Sequence, residues 1–291
     1  MRASTVLAID IGGTKIATGL LTSDGTLLRT IATPTPVQND PETLLSVVLA
    51  AVEQIGADSY HAVGVGCAGP MTPGGRSVSP LNIPAWRDFP LLERLEQALR
   101  KPVVIDGDAK ALAVGEGWLG VAAGVRDFLA MVVSTGVGGG LVVDGRLLHG
   151  AGSNAGHVGH VIVVPDGAQC GCGARGCLEA EISGTAIARR IGAPAEKAPV
   201  SEVLRAGKLL GLGLASTVNL LDLSMVAVGG SVALGFGAPF FSAVSRGLRA
   251  NSRLSFTQDC QIEPVGLGKD GPVIGAGALA LQLLGHDVGT S

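Results

Sequence analysis

The sequence predicts an α/β protein built from two similar lobes. Segments with strand-like and helix-like patterns alternate along the chain, which is typical of α/β domains. One pattern (strand, glycine turn, strand, Asp-Gly turn, strand) occurs near residue 6 and again near residue 128. A repeat at a separation of about one domain length indicates two lobes, not a solenoid of short units. A ligand site is expected in the cleft between the lobes.

The composition excludes several other classes of protein. Of the 291 residues, 47% are hydrophobic and 15% are charged, which is enough for a large buried core. The 21 Lys and Arg residues against 24 Asp and Glu give a net charge of −3, with no broad basic field for nucleic acid. No run approaches the ~18 apolar residues of a membrane span, and Met1–Ser4 leads into a strand instead of a signal peptide. We therefore expect a cytoplasmic protein with no nucleic-acid or membrane partner.

The first lobe is predicted to begin with three strands. Val6–Leu21 contains a strand, a glycine turn and a second strand, and Asp24-Gly25 turns the chain into a third strand through Leu28. Asp40 then caps a helix that begins at Pro41 and ends at Gly56. The predicted elements that follow are a strand at His61–Gly66, a helix at about Leu91–Leu99, a strand at Pro102–Asp106 and a helix from near Asp108.

The second lobe repeats this beginning. Phe128–Val133 is a predicted strand, Ser134–Gly140 a glycine turn and Asp144-Gly145 a hairpin turn. Helical segments through about Leu221, a strand at Met225–Val228 and a final helix from about Ile274 are predicted to follow. We expect an N-terminal lobe at residues 1–110, completed by the C-terminal helix 275–291, and a C-terminal lobe at 111–274 with a cysteine-bearing insertion at 150–180.

The two glycine turns are candidate phosphate sites. Asp10–Lys15 (Asp-Ile-Gly-Gly-Thr-Lys) combines exposed N–H groups and a hydroxyl that can hold phosphate oxygens with a carboxylate that can organise Mg²⁺ and its waters. Alone, this turn is equally consistent with an ordinary hairpin. The matching turn at Ser134–Gly138 favours the phosphate interpretation, because two such loops on two lobes can hold a nucleotide triphosphate from both sides.

Asp106 and Asp108 are rival candidates for a general base. Asp108 begins a predicted helix, and aspartate is favoured as a helix N-cap for purely structural reasons. A carboxylate at the floor of the cleft can also accept a hydroxyl proton during phosphoryl transfer. The residues alone do not choose between the two.

The insertion contains the spacing of a zinc site. Three thiolates and one imidazole complete a tetrahedral zinc shell, so the predicted site is closed and structural. The residues are His160, Cys170, Cys172 and Cys177, with glycines at 171, 173 and 176 that let the chain turn tightly. The alternative is a chance cluster of small buried cysteines. A bound zinc ion would hold the neighbouring His157 and Glu179 rigidly.

On these motifs the chain resembles the ROK family of bacterial sugar kinases and related repressors. Asp10–Lys15 is similar to the family's first phosphate motif, Ser134–Gly140 to its second, and the His and Cys cluster to its zinc module. The resemblance implies an actin-like, hexokinase-type two-lobed fold with a duplicated βββαβαβα core and a zinc-binding insertion. It also implies Mg²⁺ and ATP as co-substrates, transfer to the 6-hydroxyl of a hexose, and a homodimer or homotetramer.

The resemblance further implies roles for individual residues. Asp108 is the implied catalytic base, since Gly107-Asp108-Ala109 stands where the family usually has Asn-Asp-Ala. The implied ATP and phosphate residues are Asp10, Gly12, Gly13, Thr14, Lys15, Ser134, Thr135, Gly136, Gly229 and Gly230. The implied sugar residues are Gly69, Asn82, Asp108, His157, His160 and Glu179.

Two departures from the family pattern bear on the substrate. His157-Val158-Gly159-His160 replaces Glu-x-Gly-His, which is similar to bacterial N-acetylmannosamine kinases. A neutral imidazole offers a donor and an acceptor where a carboxylate only accepts. Gly107 lacks the Asn side chain that would contact the far hydroxyls of the sugar, unlike glucose and N-acetylmannosamine kinases. We expect a hexose or N-acetylhexosamine kinase, with N-acetylmannosamine slightly favoured and glucokinase as the alternative.

The family resemblance also allows two other functions. A repressor of this family would carry a winged-helix domain ahead of the kinase-like body, and a phosphate motif that begins at Asp10 leaves no room for one. A catalytically weak sugar-sensing protein is the alternative of a different class. Both phosphate loops and Asp108 are present, which favours an active enzyme.

Overall fold

The N-terminal part of the chain forms a five-stranded sheet. The structure is a computed structural model that describes residues 4–36, 40–56 and 60–290. The strands of this first sheet are β1 (Thr5–Ile11), β2 (Lys15–Thr22), β3 (Leu27–Pro34), β4 (Val63–Cys67) and β5 (Val103–Gly107). Their order is β3-β2-β1-β4-β5, with β1 antiparallel to β2 and parallel to β4. The predicted three-stranded beginning is confirmed.

Three helices accompany the first sheet: α1 (Pro41–Ile55), α2 (Leu91–Leu99) and α3 (Asp108–Leu119). Helix α1 begins and ends where the sequence predicts. A side-chain oxygen of Asp40 accepts the backbone N–H of Thr43 at 2.9 Å, and Gly56 ends the helix in the left-handed conformation at φ 62°. Local capping chemistry therefore fixes both ends of this helix.

The second sheet has the same strand order as the first. Its strands are β6 (Phe128–Val133), β7 (Val137–Val143), β8 (Arg146–Leu147), β9 (Met225–Gly229) and β10 (Gln261–Pro264). They lie in the order β10-β9-β6-β7-β8, with β6 antiparallel to β7 and parallel to β9. Read from β8, this is the order of the first sheet, so the predicted duplication holds at the level of topology. The helices of this part are α4 (Leu178–Ile182), α5 (Gly184–Ile191), α6 (Val200–Leu221), α7 (Ser231–Asn251) and α8 (Gly271–Leu283).

Several elements differ from their predicted bounds. Strand β4 begins two residues later than predicted. Strand β3 continues past Leu28 to Pro34. The sequence does not reveal this extension, because β3 is an edge strand whose residues are largely exposed and lack the alternation of buried and exposed positions that marks a strand. Strand β10 and helix α7 were not predicted. Helix α7 bends at Gly237, which has φ 60°, two residues before Pro239, and this bend interrupts the helical pattern. Helix α8 begins at Gly271 instead of Ile274.

Helix α3 packs against strands of both sheets, and α8 packs against α3 and the first sheet. Glycines allow this close approach. A Cβ on Gly275 of α8 would overlap the carbonyl of Ala111, and a Cβ on Gly64 of β4 would overlap the carbonyl of Ala276. The lobe boundaries at 110/111 and 274/275 stay a prediction. Within the ranges that the structure describes, no helix has the length and apolar character needed to cross a membrane.

Candidate active site

A cleft of about 700 Å³ is lined by residues from both sheets. Every residue that the sequence assigns to ATP, phosphate or sugar lines this cleft. Of the predicted zinc ligands, His160 and Cys170 also line it. The structure thus brings together residues from six separate parts of the sequence, while their individual roles stay predictions.

The two glycine turns face each other across the cleft. The first turn is tied internally, because the N–H of Gly12 donates to the carbonyl of Lys15 at 2.9 Å. Thr35 supports the same turn through its hydroxyl, which donates to the Gly12 carbonyl at 2.7 Å. The Oγ1 atoms of Thr14 and Thr135, one from each turn, lie 3.4 Å apart. A ligand between the turns would therefore meet donors from the loops of both sheets.

Gly229 and Gly230, at the end of strand β9, lie against the beginning of the second glycine turn. Gly230 has φ 94°, and a Cβ at this position would overlap the backbone carbonyl of Val133. Only glycine fits such a conformation and such a close approach. The next residue, Ser231, has its Oγ 3.0 Å from Oγ of Ser134, so the chain after β9 is held against the second glycine turn.

Two carboxylates lie at the floor of the cleft because the parallel strands β1, β4 and β5 end at one edge of the sheet. Asp10, near the end of β1, is buried, and burial together with the nearby Asp108 raises its pKa to about 7 against the opposing effect of Lys15. Burial also raises the pKa of Asp108, although the N–H of Ala109 donates to its Oδ1 at 2.8 Å. Both groups are thus less acidic than ordinary aspartates.

The structure separates the rivals Asp106 and Asp108. Lys110 Nζ lies 3.1 Å from Oδ1 of Asp106, and His149 Nδ1 lies 3.3 Å from its Oδ2. Burial opposes ionisation of Asp106, but His149, Lys110 and the N–H of Gly107 outweigh it and lower the pKa of this carboxyl. Both oxygens of Asp106 are engaged, and Asp106 does not line the cleft, whereas Asp108 does.

His157 lies between a glycine and a second histidine. A Cβ on Gly69 would lie 3.3 Å from its Cε1, and the rings of His157 and His160 have centroids 5.9 Å apart. Burial, followed by His160 and Lys110, lowers the pKa of His157. The ring is therefore neutral near pH 7 and presents one donor and one acceptor.

Asn82 and Glu179, which the sequence assigns to the sugar, each contact a glycine turn. A Cβ on Gly13 would lie 2.9 Å from Nδ2 of Asn82, so Asn82 lies over the first turn. Glu179 Oε2 accepts the N–H of Val137 at 2.9 Å, which ties helix α4 to the second turn. Both also line the cleft, so these contacts leave the predicted sugar role open.

The predicted zinc ligands cluster with distances that fit the metal. The four candidate ligand atoms all lie within 4.8 Å of one another. The Sγ atoms of Cys172 and Cys177 are 3.8 Å apart, and Sγ of Cys170 lies 3.6 Å from Nδ1 of His160. A tetrahedral zinc ion with Zn–S near 2.3 Å and Zn–N near 2.0 Å requires separations of about 3.8 and 3.6 Å. The residues therefore fit a structural zinc ion.

The sequence did not single out Lys110 or Asn154, which also line the cleft. Asn154 Oδ1 accepts the N–H of Met71 at 2.9 Å, and its Nδ2 donates to the Met71 carbonyl at 2.8 Å. This pair joins the loop before His157 to the loop after β4. Neither residue carries a local signal, because a buried lysine and a loop asparagine acquire their roles from contacts distant in sequence.

Three relatives illustrate what the chain is similar to. An N-acetylmannosamine kinase of Escherichia fergusonii is 36% identical over 250 residues, covering 80% of this chain and 85% of that protein. A glucokinase of Halalkalibacterium halodurans is 29% identical over 314 residues, covering 95% and 94%. A crystal structure of a ROK family glucokinase from Streptomyces griseus, in complex with glucose and AMPPNP, has a TM-score of 0.86 at 30% identity and covers 96% of this chain and 100% of that one.

The two-sheet fold, the cleft and these relatives define the class of the protein, which is a carbohydrate kinase. A family model described as ROK family matches residues 6–283, and the chain belongs to this family.

Proposed function

We propose that the protein transfers the γ-phosphate of Mg-ATP to the 6-hydroxyl of a hexose or N-acetylhexosamine, with Asp108 as general base. The observation that carries the proposal is the position of Asp108. It is a carboxylate of raised pKa in a cleft where two glycine turns face each other. The rival Asp106 does not line the cleft and is engaged by Lys110 and His149, which supports Asp108 further.

The residues of the chain divide the chemical work. The N–H groups of Gly12 and Ser134 already donate within their own turns. The backbone N–H groups of Gly13, Thr14, Thr135 and Gly136 therefore hold phosphate oxygens and stabilise the charge that develops during transfer. Asp108 accepts the proton of the attacking hydroxyl, and its raised pKa brings its basicity closer to the operating pH. When bound with ATP, Mg²⁺ supplies positive charge to the phosphates. Asp10 would organise the water molecules bound to Mg²⁺. The raised pKa of Asp10 fits this role, because it shows that the carboxylate has too little positive charge around it in the absence of a cation.

The sugar is proposed to be N-acetylmannosamine, slightly ahead of glucose. His157 supports this choice, because a neutral imidazole can donate to an acetamido oxygen as well as accept from a hydroxyl. The relative of 36% identity bears the name N-acetylmannosamine kinase, which supports it as well. Glucokinase is the second candidate, since the relative in Halalkalibacterium halodurans and the structural neighbour in Streptomyces griseus bear that name.

The test is ADP release by purified protein with Mg-ATP and a panel of sugars. The panel contains glucose, mannose, N-acetylglucosamine, N-acetylmannosamine, fructose and allose, and a reaction without sugar measures background hydrolysis. We expect the highest kcat/KM for N-acetylmannosamine, and His157→Glu should shift the preference towards glucose. A preference of the unmodified protein for glucose would favour the second candidate. No turnover on any sugar, together with sugar binding, would refute the kinase and favour a sensing protein.

A further inference from the structure

Lys110 is a buried lysine in the wall of the cleft, with a side chain only 4% exposed. Its Nζ lies 3.1 Å from Oδ1 of Asp106 and donates to the carbonyl of Ser153 at 2.9 Å. An ammonium group carries three N–H donors. Within the part of the chain that the structure describes, two of these donors have protein acceptors. Because a buried donor without an acceptor is costly, the third is suited to an acceptor that does not belong to the chain.

Gly107 leaves the space beside this lysine open. Its φ of −57° is available to any residue, so the backbone does not require glycine here. The nearest atoms to a Cβ on Gly107 would be Cδ and Cγ of Lys110, both at 3.6 Å. A longer side chain at position 107 would therefore extend along the Lys110 side chain at the wall of the cleft. As a glycine, residue 107 contributes no side chain beside the Lys110 stem, and both residues line the cleft.

Lys110 is also connected to residues of the proposed sugar site. Lys110 lies on the first turn of α3, two residues after Asp108, and its charge contributes to the lowered pKa of His157. The loop whose Ser153 carbonyl accepts from Lys110 continues through Asn154 to His157. Lys110 is thus linked to the proposed base through the first turn of α3, and to the loop of the proposed specificity residue through the Ser153 carbonyl.

We propose that Nζ of Lys110 donates a hydrogen bond to a hydroxyl of the bound sugar other than the one phosphorylated, through the space that Gly107 leaves open. This inference rests on the proposed sugar kinase function and deepens it. Since an ammonium group only donates, Lys110 selects for an oxygen acceptor at one position of the ring. Lys110 is therefore a sugar-binding residue that helps determine which hexose is accepted.

The experiment compares kcat/KM for the best sugar of the panel and for its monodeoxy analogues, one at each ring carbon from C1 to C4 that carries a hydroxyl. In the unmodified enzyme, removal of the contacted hydroxyl should lower kcat/KM by about 10- to 100-fold, as expected for a hydrogen bond to a charged group. In Lys110→Met, kcat/KM for the parent sugar should fall by the same factor. The kcat/KM for the analogue that lacks the contacted hydroxyl should not fall further. The KM for ATP should stay unchanged. Lys208→Met, at an exposed lysine of α6, is the matched control and should leave every value unchanged.

Two results would overturn the inference, and a third would refute the proposed function instead. Equal losses for the parent sugar and every analogue in Lys110→Met would overturn it, because a purely structural tie to Asp106 and Ser153 weakens all sugars alike. If Lys110→Met does not fold, Gly107→Leu provides the second test, since it adds a side chain beside the Lys110 stem and leaves Lys110 and its partners Asp106 and Ser153 unsubstituted. The inference would be overturned if the ratio of kcat/KM between the parent sugar and the analogue that lacks the contacted hydroxyl were unchanged in Gly107→Leu. Absence of sugar phosphorylation by the unmodified enzyme would instead refute the proposed function on which the inference rests.

Discussion

The environment of each acidic group sets the chemistry of the cleft at the scale of single residues. Asp106, Asp108 and Asp10 share one edge of the first sheet, yet the pKa of Asp106 is lowered by His149 and Lys110 while burial raises those of the other two. An ion-paired carboxylate is a poor base at neutral pH, whereas a desolvated one is stronger. The contrast supports a structural task for Asp106 and a chemical one for Asp108.

Replacing Asp108 by Asn removes the base and keeps the shape of the side chain. We expect kcat to fall by about 100-fold or more, while the affinity for sugar changes little. ADP release gives kcat, and calorimetric titration gives sugar binding. In the unmodified enzyme, kcat/KM should decrease in acid with an apparent pKa above the usual aspartate range, because burial raises the pKa of Asp108. Asp259→Asn, at an exposed aspartate, is the control, and a near-normal kcat for Asp108→Asn would remove Asp108 from the mechanism.

Asp10 makes the folded protein sensitive to pH in a defined direction. Its pKa rises from 3.8 to about 7 on folding, so the folded state holds this proton more tightly than the unfolded state. Stability therefore falls as the pH rises through this window, and the ionised carboxylate destabilises the folded protein above it. In Mg²⁺-free buffer, Asp10→Asn should have a higher Tm than the unmodified protein at about pH 8, and the difference should narrow towards about pH 4. A lower Tm for the variant at both values would contradict this assignment.

At the scale of secondary-structure elements, local chemistry was predictable and distant contacts were not. The ends of α1 follow from Asp40, Pro41 and Gly56, and both glycine turns follow from their own residues. Strand β10 escaped prediction because its four residues carry no alternation of burial that marks a strand. The burial of Lys110 depends on Asp106 and on Ser153, the latter 43 residues away, so the sequence pattern gave no indication that it lines the cleft.

The insertion at 150–180 is predicted to depend on zinc for its order. Metal analysis should find about one zinc ion per chain, and Cys172→Ser should lose it. Because His160 is a proposed ligand that also lines the cleft, metal loss should raise the KM for sugar by about 10- to 100-fold and leave the KM for ATP unchanged. Cys260→Ser, at a cysteine outside the cluster, should retain the metal. A Cys172→Ser protein that is folded and fully active without zinc would refute the structural role.

At the scale of the whole molecule, the packing of α3 and α8 connects the two sheets. Helix α3 carries Asp108 at its first residue and contacts strands of both sheets, while α8 covers the first sheet from the far end of the chain. The position of the proposed base therefore depends on how closely these two helices approach. Their approach is set by Gly275, at which any Cβ would overlap the carbonyl of Ala111.

Because Gly275 sets how closely α3 and α8 approach, its replacement by alanine should change the stability in the opposite direction from the same substitution at an exposed helical glycine. Gly275→Ala should lower the free energy of unfolding by about 1–3 kcal/mol, because an added methyl group forces α8 away from α3. Gly235→Ala, at an exposed position of α7 where a Cβ would have no neighbour within 4 Å, should raise it by about 0.5–1 kcal/mol through the better helix propensity of alanine. Urea unfolding measures both changes. Equal stabilisation by the two substitutions would show that α3 and α8 tolerate a wider separation, and the position of Asp108 would then have to be fixed by the first sheet alone.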